Sequence, residues 1–438
     1  MSKRLTKSFI IYGLGAGLSQ SVTLLLIKVF TTHFDKSTYG QLELLQSGFI
    51  LISLFGILQL ESAAGRYYYE YPTKESKKGL ISELLLTVSL LSLSTVILLL
   101  LILAGLNYFS FDWYNTFLKT YNPSILILIL SIPFYNLYNY LMVILRFQNK
   151  AVSYGLLSLL QGSLSVGISL FVIFKTPFTK EGYFMGQAVA YLITAIILIF
   201  IFRSFIVIKF NKLSLRKYFK YSLPQTPAVV VSWAGGHANR FLMASFLAPA
   251  LVGIYIAAIK VASIFKLMET AFRMAWTPYF TERSLVEGHQ AEFRKIFYWV
   301  SGLVLLSVVL FILFDSFLID LLISKAYGEA RTIIGFLGVA VSLEVLSTLV
   351  CVGPSLSQKT IYNTYRTVAG LAANFITFIL LVPTLQIKGV ALSLLIGNIV
   401  LFLSSSWFSE KLYPVGFITK YYLIIFLIVC GLLILLLY

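Results

Sequence analysis

The 438-residue chain is 59% hydrophobic and 12% charged, with a mean hydropathy of +0.89 and a formal net charge of +17. No soluble globule needs that much apolar surface. Its three histidines and two cysteines are too few and too scattered for a metal cluster or a disulfide framework.

Thirteen apolar segments follow in chain order: 9–30, 41–64, 80–106, 124–146, 152–174, 182–204, 224–247, 250–272, 296–317, 331–352, 364–382, 388–408 and 421–437. About 20 apolar residues cross a hydrocarbon core of roughly 30 Å as a helix, so each segment is read as a span. Residues 1–8 lead straight into the first segment with no small-residue cleavage site, which predicts a retained first helix. The last segment is the shortest. It is read as a thirteenth span, with a surface or re-entrant helix, or a chain cut short before a fourteenth span, as the alternatives.

The gaps carry the charge. With the N-terminus in the cytoplasm, cytoplasmic ends and loops hold 23 Lys/Arg and the opposite side holds seven. That bias satisfies the positive-inside rule and absorbs most of the net charge as a topology signal. Nucleic acid is therefore a poor partner, and anionic membrane lipid a good one. A Gly-rich phosphate loop, paired catalytic carboxylates and a His-rich zinc signature are all missing, which argues against an ATP-driven pump, while that absence alone does not exclude an integral-membrane enzyme; the expectation is a non-enzyme without cofactors.

The basic stretch 205–223 separates six spans from the next six, so both halves enter the membrane in the same orientation. Weak repeats support a duplication. Tyr39-Gly40-Gln41-Leu42 matches Val252-Gly253-Ile254-Tyr255, Gln148-Asn149-Lys150 matches Ser357-Gln358-Lys359, and Gly182 matches Gly389, in the same order along each half. The predicted fold class is an all-α polytopic membrane protein. It comprises a six-helix lobe over 1–206, a basic cytoplasmic loop over 207–223, a second six-helix lobe over 224–410 and an extra hydrophobic segment over 411–438. A pseudo-two-fold along the membrane normal would relate the lobes around a central cavity.

Ionisable groups inside spans cost about 2.5–3.5 kcal/mol each on insertion scales and normally face a cavity or one another. The cations are Lys28, Arg240, Lys260 and Lys266; the acids are Glu43, Glu61, Glu269 and Glu344. Arg240 and Lys260 lie deep in adjacent spans with no acid three or four residues away, so cavity lining is preferred over an interhelical ion pair or snorkelling. For Lys28, cavity lining and snorkelling stand equal. Lys266 and Glu269, three apart, can pair on one helix face. Glu61 is a gate candidate. Glu344 would bind a proton or a sodium ion if a gradient drives the protein, or else hydrogen-bond within the bundle. His237 is a hydrogen-bonding residue or a proton carrier. The Tyr67-Tyr68-Tyr69 and Tyr71 cluster reads as an interfacial aromatic belt, with sugar stacking as the alternative. Gly13, Gly15 and Gly17 offer a small packing face on the first span.

One stretch is recognisable: Tyr221-Ser222-Leu223-Pro224, Trp233, Asn239-Arg240-Phe241, Val252-Gly253-Ile254-Tyr255, Ala257-Ala258-Ile259-Lys260 and Ala275-Trp276-Thr277-Pro278. With Tyr39-Gly40, Arg66, Asn374, Val382-Pro383 and Gly389-Val390-Ala391, it resembles the polysaccharide/O-antigen flippases of the multidrug/oligosaccharidyl-lipid/polysaccharide exporter superfamily. The resemblance covers most of residues 1–410. It implies export of an undecaprenyl-pyrophosphate-linked oligosaccharide across the bacterial cytoplasmic membrane, with polysaccharide polymerases as further partners. One departure stands out. The family's Asp-Arg is Asn239-Arg240 here, which removes the carboxylate beside Arg240. The competing readings are a drug/cation antiporter of the same superfamily and a membrane-embedded glycan polymerase or transferase.

Overall fold

The computed structural model describes residues 26–417, except 72, 109–111, 149, 207–211, 267–268, 270–275, 277–279, 281–283, 285–286, 358 and 360, together with residues 427 and 431. Most of the first expected span with its Gly13, Gly15 and Gly17 face, and nearly all of the thirteenth, lie outside the described residues.

Among the described residues there is no strand. The helices are α1 (26–33), α2 (Lys36–Ile57), α3 (Leu60–Glu70), α4 (Lys74–Tyr108), α5 (Asp112–Phe147), α6 (Ala151–Lys175), α7 (Thr179–Phe202), α8 (Lys212–Ser222), α9 (Thr226–Phe246), α10 (Pro249–Ala262), α11 (His289–Leu313), α12 (Asp315–Leu322), α13 (Arg331–Val350), α14 (Gly353–Leu356) and α15 (Ile361–Leu412). Nine helical segments of the described chain are long and apolar enough to cross a membrane. Their outer faces confirm the solvent. Leu90, Leu93, Ile97, Leu98 and Leu101 line an exposed stripe on α4, and Trp299, Leu303, Leu306, Leu310 and Leu313 line another on α11. Exposed apolar surface of that extent is tolerated only against lipid. The molecule is a multi-pass membrane protein.

The described chain forms two compact units, residues 42–233 and residues 26–41 with 234–417. The divisions fall inside α2, after Gln41, and inside α9, after Trp233.

In the unit 42–233, α4 packs on α5, α5 on α7 and α7 on α6, and α3 packs against α4, α5 and α8. The second expected span, 41–64, is two helices here. Leu58 (φ 45°) and Gln59 (φ 58°) both take left-handed backbone, which costs a residue other than Gly about 1–3 kcal/mol. The break leaves the Gly56 carbonyl without its helical donor. Ser92 Oγ donates to it at 3.0 Å, and the buried Asn136 amide donates to Ser92 Oγ at 2.9 Å and to the Ser53 carbonyl at 3.1 Å. Beyond the break, α8 lays Tyr218 onto α3. Lys217 sits 4.2 Å above the Tyr67 ring, Arg66 sits 4.9 Å above Tyr221, and the Tyr71 and Tyr218 hydroxyls are 3.2 Å apart. Tyr67 and Tyr71 of the expected aromatic belt thus pack against cations and other rings.

In the other unit, α13 is the central helix, its apolar window 89% buried. It packs against α10, α11 and α15. The expected eleventh and twelfth spans are the two arms of α15, which folds back on itself at Gln386 (φ 48°). A methyl group added at Gly370 would meet Leu401, one at Gly397 would meet Asn374, and one at Gly389 would meet Leu381, which is the pattern of an antiparallel hairpin. Pro383, three residues before the turn, has no N–H to continue the ladder. Residues 26–41 pack here as well. Asp35 caps α2 by accepting from the Ser37 and Thr38 N–H groups at 3.0 and 3.1 Å. Its hydrogen bonding to Thr38 holds the carboxyl below its ordinary value. One turn on, α2 touches the start of α10 backbone to backbone. A Cβ on Gly253 would collide with the Lys36 carbonyl oxygen.

Gly253→Ala is therefore expected to lower the apparent melting temperature by several degrees, equivalent to about 1–3 kcal/mol of overpacking. Gly302→Ala, where an added methyl meets nothing within 4 Å, is expected to change nothing. Size-exclusion chromatography of detergent-solubilised protein after heating checks both.

Candidate functional site

The intramembrane cations of the C-terminal half arise from two adjacent helices. Not one Asp or Glu occurs between Glu181 and Glu269, and that stretch contains Arg240, Lys260 and Lys266. The cluster therefore recruits its counter-groups from elsewhere in the chain.

Lys260, on α10, donates from Nζ to the Tyr39 hydroxyl at 3.1 Å and lies 5.4 Å from the centre of the same ring. Tyr39 is fully buried and meets Tyr327 edge to face at 6.1 Å, and the Tyr327 hydroxyl donates to the Phe34 carbonyl at 3.0 Å. The ammonium is thus in contact with a phenol and a π-face, both uncharged.

Arg240, half-buried on α9, acts electrostatically on Tyr255 of α10. Its neighbour Asn239 is buried. Asn239 bonds the Tyr255 hydroxyl, and its Oδ1 accepts from Asn374 Nδ2 of α15 at 3.3 Å. The Asn374 Oδ1 is buried with no hydrogen-bond partner. Where the resemblance expects a carboxylate, the structure has two amides and a phenol. His237 lies half-buried one turn before Arg240.

Lys266 pairs between helices, to Glu344 of α13 at 3.1 Å, with side chains 40% and 36% exposed. One rung further, Glu269 Oε1 accepts from Thr348 at 3.1 Å. The side-by-side placement of Lys266 and Glu269 on one helix face, read from their spacing, is therefore accompanied by a cross-helix pair that spacing alone does not reveal.

Lys28 sits apart from these groups. It is exposed, and its Nζ donates to the Asp320 carbonyl at 2.7 Å, one of the unpaired carbonyls in the last turn of α12. The Asp320 carboxylate pairs with Arg331 at 2.6 Å, and Lys36 pairs with Glu329 at 2.6 Å.

In the unit 42–233, Glu61 occupies the first turn of α3, just past the helix break. Its Oε1 accepts from Gln59 at 3.2 Å, its Oε2 is buried with no hydrogen bond, and Arg146 acts on it electrostatically. Arg66 is turned to Glu70 at 3.4 Å. Glu43, 2% exposed, accepts a hydrogen bond from the Tyr183 hydroxyl of α7. Among the described residues no group of His, Cys, Asp and Glu is arranged to hold a metal ion.

Three groups escape a reading by sequence: Tyr39 as the seat of Lys260, Asn374 as the partner of Asn239, and Tyr183 as the partner of Glu43. Tyr39 and Asn374 had a signal, since both stand in the recognisable motifs. Tyr183 had none beyond its position after Gly182.

The model of the family "Polysaccharide biosynthesis protein" matches residues 5–284. The chain belongs to that family. No curated protein matches the sequence. Among solved structures, it is similar to the lipid II flippase MurJ in an inward closed conformation, at 17% identity over 98% of each chain with a TM-score of 0.71. It is similar to a MATE protein in complex with MaL6, at 16% identity over 95% of this chain and 99% of the other, with a TM-score of 0.68. An outward-facing multidrug resistance MATE family transporter of the MOP superfamily matches at 15% identity over 94% and 97%, with a TM-score of 0.65. The fold of this family member is thus the two-lobed helical fold of the MOP superfamily.

Tyr39→Phe keeps the ring beneath Lys260 and removes its hydrogen-bond acceptor. The expected cost is about 1.5–3 kcal/mol, the scale for a bond to a charged group. Lys260 is expected to react faster with an amine-directed label, read by peptide mass spectrometry.

Proposed function

We propose that this protein flips an oligosaccharide linked to undecaprenyl diphosphate from the cytoplasmic to the outer leaflet of a bacterial cytoplasmic membrane, for surface polysaccharide or O-antigen assembly. The carrying observation is the set Arg240, Lys260 and Lys266 on neighbouring helices, inside a stretch free of acids, in a polysaccharide biosynthesis family member. A diphosphate brought into a low-dielectric space needs cationic partners. Lys260, in contact with a phenol, and Arg240, beside an amide in place of the family's carboxylate, meet the anionic cargo in this reading. Lys28, nearer the end of its helix, serves arrival or release. The lipid tail stays in the bilayer while the sugar follows the polar path, and the lobes alternate in access.

The N-terminus is cytoplasmic in this reading, following the distribution of Lys and Arg. A proton or sodium gradient drives the cycle through Glu344, Glu61, Glu269 or His237, and a polysaccharide polymerase receives the product. The second reading, a drug/cation antiporter, is favoured by the similarity to MATE structures. A cationic cargo would be repelled by the same three residues.

Reconstituted vesicles loaded with a fluorescent undecaprenyl-diphosphate oligosaccharide distinguish the two. Wild-type protein is expected to move the lipid between leaflets and to leave a cationic dye untransported. Arg240→Ala and Lys260→Met are each expected to lower the initial rate about tenfold or more, the equivalent of one charge-assisted hydrogen bond. Wild-type rates in both variants would remove these residues from the mechanism, and dye transport without lipid transfer would favour the antiporter.

A further inference from the structure

The Lys266–Glu344 pair is placed unlike a structural ion pair. Glu344 lies within the apolar segment 325–356 and Lys266 is the last described residue of the apolar segment 249–266, yet both side chains keep more than a third of their surface open. Ionisable side chains at that depth face a polar cavity rather than hydrocarbon. The distances to the two carboxylate oxygens, 3.1 and 3.4 Å, describe a contact held by one flexible ammonium and not by a bidentate fork. Lys266 has an acid, Glu344, as its partner across the helices. An anionic cargo that uses Lys266 must therefore first compete with Glu344.

We propose that Lys266 and Glu344 form a charge-exchange device. The diphosphate of the cargo takes Lys266 from Glu344, and the released carboxylate takes up one proton from water in the cavity. On release of the cargo the proton returns to water and the ion pair re-forms. This rests on the proposed diphosphate-lipid cargo and assigns its coupling. No covalent bond changes: one N–H···O contact passes from carboxylate to phosphate oxygen, and one proton moves from water to a Glu344 oxygen. The physical reason is repulsion. A bare carboxylate beside a diphosphate in a low-dielectric space is disfavoured, and protonation removes the like charge.

The surroundings of Glu344 are consistent with that role. Lys266 and Glu269 face it from the segment that continues α10, and Glu269 is engaged by Thr348. From α15, the contact nearest to it on α13 is neutral, Asn398 Nδ2 to the Ala340 carbonyl at 2.7 Å. Arg366 of α15 is bonded to Ser405 and acts on Cys351, seven residues or about 10 Å along the helix from Glu344. α12 and the turn before α13 carry Asp315, Asp320, Lys325 and Glu329; Asp320 pairs with Arg331, the first residue of α13, roughly 20 Å along the helix from Glu344. α11 carries His289, Glu292, Arg294 and Lys295 in its first two turns, and His289 and Arg294 engage Tyr413 and Val415 beyond the end of α15. Among the described residues, Lys266 is the cation in direct contact with Glu344.

The test uses the full chain in lipid nanodiscs and undecaprenyl diphosphate itself as the probe. Proton uptake on binding is read with a pH dye in weak buffer, and affinity is read from pH 6 to 8. The probe's own titration is common to all variants and cancels in their difference. Wild-type protein is expected to take up close to one proton more per lipid than Glu344→Gln. Its affinity is expected to fall with pH more steeply than that of the variant, by up to about tenfold per unit. Lys266→Met is expected to bind at least tenfold more weakly and to lose the extra proton. Thr348→Val, on the next rung, is expected to behave as wild type. In the wild-type protein alone, infrared difference spectra are expected to gain the carbonyl stretch of a protonated carboxyl when lipid is added. Absence of that band, or equal proton uptake in wild type and Glu344→Gln, overturns the exchange and leaves the cargo reading intact. No binding of undecaprenyl diphosphate by the wild type overturns both.

Discussion

Hydrocarbon offers no water to a backbone N–H or C=O, and this condition shapes every element of the chain. Helices meet it by themselves. Each departure from helix needs a repair, and the repairs are specific residues. The break after Ile57 is mended by Ser92 and Asn136 from two other helices. The end of α12 is mended by Lys28, whose ammonium reaches the Asp320 carbonyl. The chain that leaves α15 is turned by Glu410, whose carboxylate accepts from the Val415, Gly416 and Phe417 N–H groups. In each case a side chain distant in sequence or across a turn supplies what solvent supplies in a soluble protein.

The same scarcity of water governs charge. A cation in a span must be seated, and the kind of seat decides what it can do. Lys260 is seated on Tyr39, a neutral ring and hydroxyl, and Lys266 on Glu344, a full counter-charge. The first contact brings no counter-charge of its own to the ammonium. The second does, until something competes. Asn239 belongs to the same logic. An amide at that position, bonded to Asn374 and Tyr255, satisfies the local polar groups without drawing on the charge of Arg240.

The spans were legible because the bilayer imposes a length and a composition that run along the sequence. From the second span to the twelfth, each apolar segment has its helix among the described residues. What the sequence hid is contact between segments far apart. Leu58 and Gln59 carry no Gly or Pro signal, since the donors that permit their left-handed backbone come from α4 and α5. Residues 112–123 read as a connection, yet α5 begins at Asp112 and runs through Pro123. Glu344 looked solitary because its partner lies 78 positions away, whereas the neighbours three and four residues off are all that a linear reading can pair. Arg240 and Lys260 are marked by their place within apolar segments, whereas the Tyr39 contact of Lys260 is not visible in the sequence.

The mended break in the second span bears on how the protein is made. Ser53 and Gly56 emerge from the ribosome well before Ser92, and Ser92 well before Asn136. A chain threaded into the bilayer up to residue 64 has neither donor, and the only form that satisfies its own backbone is an uninterrupted rod. The bend at Leu58 and Gln59 is therefore acquired after insertion, when the fourth span arrives. The topology is decoded from straight helices, and the working shape is bent into them afterwards.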